Sequence, residues 1–185
     1  PVCEKDYSAQ KILFLGRLCK EKGIGELIDA VAELRKSYPE LQLYLGGSWV
    51  DKDLKEKADS YSEWIHQLGW INKEKKEKYL KECNIFALPS YFEGQSVALL
   101  EGMVYGCACV ASDVGGIPQM LIHEKTGLLV PVKDTKGIKD AIGKLLADSV
   151  LQSTYGEAAR QKIEKEFNLD TNVKELVEIY HNIYR

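Results

Sequence analysis

The chain has 185 residues, of which 45% are hydrophobic and 29% charged, as in an ordinary globular protein with one full hydrophobic core. A formal net charge of -3 argues against a strongly basic nucleic-acid-binding surface. No apolar run approaches the roughly 18 residues of a transmembrane helix, so we expect no nucleic-acid partner and no transmembrane segment.

The five cysteines are odd in number and show no CxxC spacing. This pattern argues against a disulfide framework and against a zinc site. The three histidines lie far apart and add no metal-ligand cluster. We therefore expect reduced thiols, a cytoplasmic location and no bound metal.

Apolar runs alternate with helical patterns along the first half of the chain. A helix is indicated where Ile24, Leu27, Ile28 and Val31 recur at i, i+3, i+4 and i+7. The short apolar runs, each followed by glycine, are typical of buried parallel strands. In chain order we predict a strand at 11–15, a helix from 24 to about 38, a strand at 41–45, a polar helix after Asp51 and a strand at 64–68.

The second half repeats this alternation. We predict a helix at 73–82, a strand at 84–88, a helix at 96–105, strands at 108–111 and 127–130, and helices at 134–147, 150–166 and 170–184. Such alternation predicts an α/β fold with a doubly wound parallel sheet of about six strands, similar to a Rossmann domain. The whole chain, 1–185, is expected to form one domain, with a linker at 1–10, a core at 11–169 and a closing helix at 170–185.

Ligands of such sheets bind at the carboxyl ends of the strands, so we expect the functional residues in the loops there. The loop Gly16–Gly23 lacks both the GxGxxG pattern of dinucleotide-binding domains and the GxxxxGK[ST] pattern of P-loops. It offers Arg17 and Lys22, which are suited to binding phosphate oxygens. A solvated polar turn is the alternative for this loop, and we favour it for Lys20.

A second pattern spans Pro89–Gly102. Ser96 is a good N-cap for the following helix, whose free amides would bind an anion. Glu101 lies in an otherwise apolar helix and needs solvent or a partner. If the span from Glu93 were wholly helical, the two carboxylates would be about 12 Å apart. This exceeds the roughly 5–9.5 Å of a glycosidase pair, so the spacing suggests groups at either end of a bound ligand.

This segment resembles the Glu-x₇-Glu motif of retaining glycosyltransferases of family four, which have the GT-B fold. The order of the other loops is similar to that family as well. They are Gly16–Gly23, Gly46-Gly47, Ser112–Gly116 and His123–Val130, so the resemblance covers roughly residues 11–132.

The resemblance implies a role for each of several residues. Arg17 and Lys22 would hold the diphosphate of the donor and Glu93 would face the donor sugar, which makes these three the catalytic candidates. Glu101 would accept hydrogen bonds from the ribose hydroxyls. The remaining donor-site candidates are Gly16, Gly94, the amides of Gln95, Ser96 and Val97, and Trp70 and Ile71 near the base.

The implied activity is a metal-independent, retaining transfer of a hexosyl group. The donor would be a nucleoside-diphosphate sugar, and the acceptor a sugar or a lipid-linked molecule. The acceptor site would lie on the enzyme's own N-terminal domain, so this chain alone is expected to be inactive. Peripheral membrane contact of the full enzyme is left open. The chain departs from the family pattern at Gln95-Ser96, where Phe-Gly is common, and at Gln119, where Glu is common; both leave the choice of donor sugar open.

Two other functions remain as alternatives. The chain could be a non-catalytic nucleotide-binding or assembly module, or half of a GT-B-type sugar-nucleotide epimerase. Asp51-Lys52-Asp53 matches the D-x-D metal motif of other glycosyltransferases, but we favour Asp51 as a helix cap. The base of the donor, its sugar, the acceptor and the oligomeric state are not indicated by the sequence.

Overall fold

The structure is a computed structural model that describes residues 5–167, 173 and 177–181. Its strands are β1 (Lys11–Leu15), β2 (Gln42–Gly46), β3 (Ile65–Gly69), β4 (Ile85–Leu88), β5 (Ala108–Ser112) and β6 (Leu128–Val130). Its helices are α1 (Ile24–Leu34), α2 (Lys52–Asp59), α3 (Lys73–Glu82), α4 (Val97–Val104), α5 (Ile117–Met120), α6 (Thr135–Ala147) and α7 (Ser149–Glu166).

The six strands form one parallel sheet in the order β3-β2-β1-β4-β5-β6. The strand order therefore reverses direction between β1 and β4. In open α/β sheets the crevice at such a reversal, on the carboxyl-terminal side, is where ligands bind. The prediction of a doubly wound, Rossmann-like sheet of about six strands is confirmed.

The core explains why these segments fold as they do. All four residues of β4 and all five of β5 are buried, as expected for strands covered on both faces. In α1 the buried side chains are those at helical spacing, including Ile24, Leu27, Ile28 and Val31. Each contributes roughly 1.5–3 kcal/mol by leaving water. Helix α1 packs against α6, and α4 packs against α7.

Two short elements were absent from the sequence-based prediction, namely the 3₁₀ turn Lys20–Lys22 and helix α5. Neither is long enough to show a period of apolar residues. The predicted strands at 41–45 and 64–68 lie one residue later, as β2 and β3. Of the predicted closing helix at 170–184, residues 173 and 177–181 are helical, and the others lie outside the described residues.

The segment before β1 packs at the amino-terminal edge of the sheet, opposite the reversal crevice. Lys5 Nζ donates to the carbonyl oxygens of Leu80 and Cys83, each at 2.7 Å. Asn84, which is fully buried, accepts from the amide of Lys11 at 3.1 Å. The beginnings of β1 and β4 are thereby joined, which leaves their carboxyl ends to carry the loops of the site.

Candidate functional site

Close backbone contacts join the loops after β1 and β2. The amide of Gly16 donates to the carbonyl oxygen of Gly46 at 2.9 Å. A Cβ atom at Gly47 would lie 1.7 Å from the carbonyl oxygen of Gly16, so no larger residue fits there. The Gly46-Gly47 turn is thus required for the two loops to approach each other.

Two further glycines bring in the loop after β4. Gly23 has φ 68°, and a Cβ there would lie 2.1 Å from the carbonyl oxygen of Pro89. Gly115 has φ 53°, and a Cβ there would lie 1.8 Å from the carbonyl oxygen of Glu93. A residue other than glycine would have a strained backbone at these φ values, and its Cβ would also clash with the carbonyl oxygen. The glycine-rich loops therefore fix the position of the segment that carries Glu93.

A cleft of about 440 Å³ opens at the carboxyl ends of the strands beside the reversal between β1 and β4. This volume lies within the usual range for small-molecule sites. Of the residues predicted for the site, the cleft is lined by Gly16, Arg17, Trp70, Ile71, Val97 and Glu101. Its other lining residues include Ser48 and Lys76, which the sequence did not indicate.

Arg17 lies exposed on the wall of the cleft. Its guanidinium forms neither an ion pair nor a hydrogen bond with any residue that the structure describes. A free guanidinium can offer two parallel N–H donors to a phosphate or carboxylate. Arg17 is therefore available to an anionic ligand.

Lys22 and Glu93, predicted from separate loops, meet directly. Lys22 Nζ lies 2.5 Å from Glu93 Oε1, and the hydroxyl of Ser90 donates to the same oxygen at 2.8 Å. The side chain of Glu93 is only 10% exposed. The pair lies outside the lining of the cleft, as do Gly94, Gln95 and Ser96.

Helix α4 begins next to the cleft. Ser96 is its N-cap, since the side chain accepts a hydrogen bond from the amide of Leu99 at 3.3 Å, as predicted. Within the described residues, the amides of Gln95, Ser96 and Val97 donate to no backbone carbonyl. Free amides and the helix dipole together favour an anion at this position.

Glu101 projects from α4 into the cleft, and its partner is Lys76 of α3. Lys76 Nζ donates to Glu101 Oε1, and both side chains are about one-third exposed. The sequence indicated that Glu101 needs a partner but not which residue supplies it. Lys76 is one of five lysines in α3, and the charged pattern of that helix marks no side as facing the cleft.

Two expectations need correction. The span from Glu93 to Glu101 is not wholly helical, because α4 begins at Val97. The separation of about 12 Å that assumed a continuous helix therefore does not apply. Asp51 does occupy the N-cap position of α2, but its side chain makes no capping bond there. It accepts instead from the amide of Lys20 at 2.7 Å, in the neighbouring 3₁₀ turn.

A second cleft, of about 390 Å³, is lined by Glu26, Asp29, Asp51, Asp53 and Tyr91, among others. Burial and a hydrogen bond to the Glu26 carboxylate raise the pKa of Tyr91 to about 12. Across the described part of the chain, no group of three or more His, Cys, Asp or Glu side chains could hold a metal ion. In the same residues no helix is long and apolar enough to cross a membrane.

Comparison with known proteins assigns the family. Residues 9–148 match the model of the glycosyl transferases group 1. The chain belongs to the glycosyl transferases group 1 family. This confirms the resemblance that was based on the ordered loops and on the Glu-x₇-Glu segment.

Curated relatives in this glycosyltransferase family are about 30% identical to the chain. The alpha-maltose-1-phosphate synthase of Mycolicibacterium smegmatis is 30% identical over 195 residues, covering 96% of this chain and 49% of the synthase. The amylovoran biosynthesis glycosyltransferase AmsK of Erwinia amylovora is 30% identical, covering 94% of the chain and 45% of AmsK. The chain thus spans about half the length of the relatives that it matches.

Solved glycosyltransferase structures share the fold. The sucrose-phosphate synthase of Thermosynechococcus elongatus is 28% identical with a TM-score of 0.82, over 94% of this chain and 45% of the synthase. The C-terminal domain of a group 1 glycosyl transferase from Francisella tularensis is 24% identical with a TM-score of 0.79, over 86% of both chains. HepE of Anabaena, solved with UDP, is 20% identical with a TM-score of 0.85, over 95% of this chain and 49% of HepE. The chain corresponds to the C-terminal half of a GT-B glycosyltransferase.

Proposed function

We propose that the chain is the donor half of a retaining glycosyltransferase and binds a nucleoside-diphosphate sugar in the cleft beside β1 and β4. The observation that carries this proposal is that one cleft contains both a free cation and a hydrogen-bond acceptor. Arg17, a free cation, and Glu101, a hydrogen-bond acceptor, lie on the walls of the same cavity. A nucleoside diphosphate needs both, since its phosphates are anionic and its ribose carries two donor hydroxyls.

The leaving diphosphate gains negative charge as the glycosidic bond of the donor breaks. Arg17, which lines the cleft, and the free amides at the start of α4 would stabilise that charge without rearrangement during the reaction. Lys22 would supply a second cation. Its ion pair with Glu93 holds the ammonium group and the carboxylate together. We propose that these groups supply the counter-charge and that transfer requires no divalent metal.

Glu93 would then act at the donor sugar, next to the diphosphate. Its Oε1 already accepts from Lys22 and Ser90, which fixes the orientation of the carboxylate. The Glu93 loop is also held by the amide of Gly116, which donates to the carbonyl oxygens of Glu93 and Gly94 at 3.3 and 3.0 Å. A carboxylate held in this way has little freedom to lose when the sugar binds.

The ribose and base would occupy the other end of the cleft. Glu101 would accept hydrogen bonds from the ribose hydroxyls, and Trp70 and Ile71 line the same cleft. Trp70 is 87% exposed, so a face of its indole is available to a base. HepE, which shares this fold, was solved in complex with UDP, and this supports the binding of a nucleotide.

Because the matched relatives are about twice as long, we propose that the acceptor is bound by an N-terminal half. Holding the acceptor hydroxyl at the anomeric carbon supplies about 7–11 kcal/mol of the barrier in well-oriented reactions. The chain alone would lack that contribution. Donor binding is therefore expected without transfer.

A thermal-shift screen with UDP, GDP and ADP in excess EDTA tests the proposal. At a free concentration 100 times its dissociation constant, a ligand stabilises the fold by about 2.7 kcal/mol. For a chain of this size that corresponds to a rise in Tm of roughly 5–11 °C. Arg17→Gln serves as the comparison variant. Without ligand it should unfold at the parent's Tm, and with the nucleotide its Tm should rise less than the parent's. No shift with any of the three, or a shift only when manganese replaces EDTA, would contradict the proposal.

A further inference from the structure

Two ion pairs of this protein differ from the rest in their burial. In the Lys22–Glu93 and Lys76–Glu101 pairs, both side chains are less than about one-third exposed. In every other pair formed within the described ranges, at least one side chain is about half exposed or more. Most of those join neighbouring turns of one helix. The two shielded pairs thus involve both carboxylates of the Glu-x₇-Glu segment.

The Lys76–Glu101 pair also bridges two elements. Lys76 lies in the first turns of α3, which follows β3, and Glu101 lies in the second turn of α4, which follows β4. Both side chains line the cleft together with Trp70 and Ile71. The ion pair is therefore part of the surface that a ligand would meet, and not of the outer face of α3.

The two oxygens of the Glu101 carboxylate are in different situations. Oε1 accepts from Lys76 Nζ, whereas Oε2 accepts no hydrogen bond from the residues described. A carboxylate held through one oxygen presents the other in a defined direction. Without the ammonium group, the side chain would be free to change rotamer, and that freedom would have to be lost when a ligand binds.

We propose that Lys76 is a positioning residue, which holds Glu101 so that the free oxygen meets the ribose hydroxyls of the donor. This inference rests on the proposed function, since it concerns the same cleft. It predicts that the effect of Lys76 is seen only with ligands that carry those hydroxyls. A lysine that contacted the phosphates would instead affect every diphosphate equally.

The test compares two ligands in the parent chain and its variants. Calorimetry gives the dissociation constants of the diphosphate with the largest thermal shift among UDP, GDP and ADP, and of its 2′,3′-dideoxy counterpart. The variants are Lys76→Met, which keeps the stem but removes the charge, Lys76→Arg as the conservative rescue, and Lys75→Met as the matched control. Lys75 is exposed on the same helix and forms no ion pair with a described residue.

The parent should favour the ribose form over the dideoxy form by at least about tenfold, since each unpaired hydroxyl or acceptor costs binding energy. Lys76→Met should reduce that preference by about three- to tenfold, which corresponds to immobilising one more side chain. Its affinity for the dideoxy form should stay within about twofold of the parent's. Lys76→Arg and Lys75→Met should keep the parent's preference.

Each other result overturns a defined part of the account. If Lys76→Met weakens both ligands equally, or neither, Lys76 does not act through Glu101. A second variant, Lys76→Gln, measured in the same way, guards against a local folding defect in the first. If the parent binds none of the three diphosphates, the proposed function fails and this inference fails with it. If the parent binds but its preference is unchanged in both variants, only this inference fails.

Discussion

Replacing Gly115 by alanine should cost more stability than the backbone strain of the substitution alone. Gly115 has φ 53°, and Gly69, at the end of β3, has the similar φ 63°. Alanine in this left-handed region costs about 1–2 kcal/mol at either position. The surroundings differ, because a Cβ at Gly69 would meet nothing within 4 Å, whereas at Gly115 it would lie 1.8 Å from the carbonyl oxygen of Glu93.

That oxygen has to move by more than 1 Å, because Cβ atoms do not approach closer than 3.0 Å. Its movement strains the hydrogen bond from the amide of Gly116, so a further penalty of about 1–3 kcal/mol is expected, as for other overpacked sites. Gly115→Ala should therefore destabilise the fold by about 2–5 kcal/mol in total, against about 1–2 kcal/mol for Gly69→Ala.

Urea denaturation of the parent and of the two variants measures these costs, provided that the m-values agree. The Tm should fall by about 2–4 °C for each kcal/mol lost. Gly115→Ala should also weaken nucleoside-diphosphate binding, since the Glu93 loop is displaced. Equal destabilisation by the two substitutions would show that the close contact between the loops adds no cost to the Gly115→Ala substitution, and would refute the prediction.

Three other outcomes are expected. Arg17→Gln should weaken nucleoside-diphosphate binding by about 1.5–3 kcal/mol in calorimetry, since a charge-assisted bond is lost, while leaving the Tm of the free chain unchanged; equal affinity would remove Arg17 from the site. Burial and the hydrogen bond to Glu26 raise the pKa of Tyr91 to about 12 in the folded state. The stability that the neutral Tyr91 hydroxyl contributes should therefore be complete below pH ~10 and be lost as the pH rises through 12. Urea titrations should show this loss in the parent and not in Tyr91→Phe. Burial also raises the pKa of the Cys83 and Cys109 thiols, so iodoacetamide at pH 8 should modify them only in urea; labelling of the native chain, seen by mass spectrometry, would contradict their burial.

Much of the fold could be predicted because its signals are local. Apolar runs ending in glycine mark β1 and β2, and helical spacing marks α1. The order of the strands in the sheet carries no such local signal, and neither do the 3₁₀ turn and α5, which are too short to show a period. These features depend on packing between distant parts of the chain.

The same division applies to the site. Glu101 was recognisable because a carboxylate in an apolar helix requires a partner. Its partner, Lys76, was not, since the sequence of α3 is charged on every side. The contact between Lys22 and Glu93 joins residues 71 positions apart, which only the reversal of the sheet brings together. A site residue could therefore be predicted where a charged side chain lies in an apolar helix, but its ion-pair partner could not.

The central claim is tested most directly by a crystal structure of the chain soaked with the nucleoside diphosphate that gives the largest thermal shift. The account predicts phosphates on Arg17 and the first amides of α4, the ribose against Glu101, and the base beside Trp70. Density for the nucleotide in the second cleft, near Asp51 and Tyr91, or anywhere other than the cleft beside β1 and β4, would contradict it.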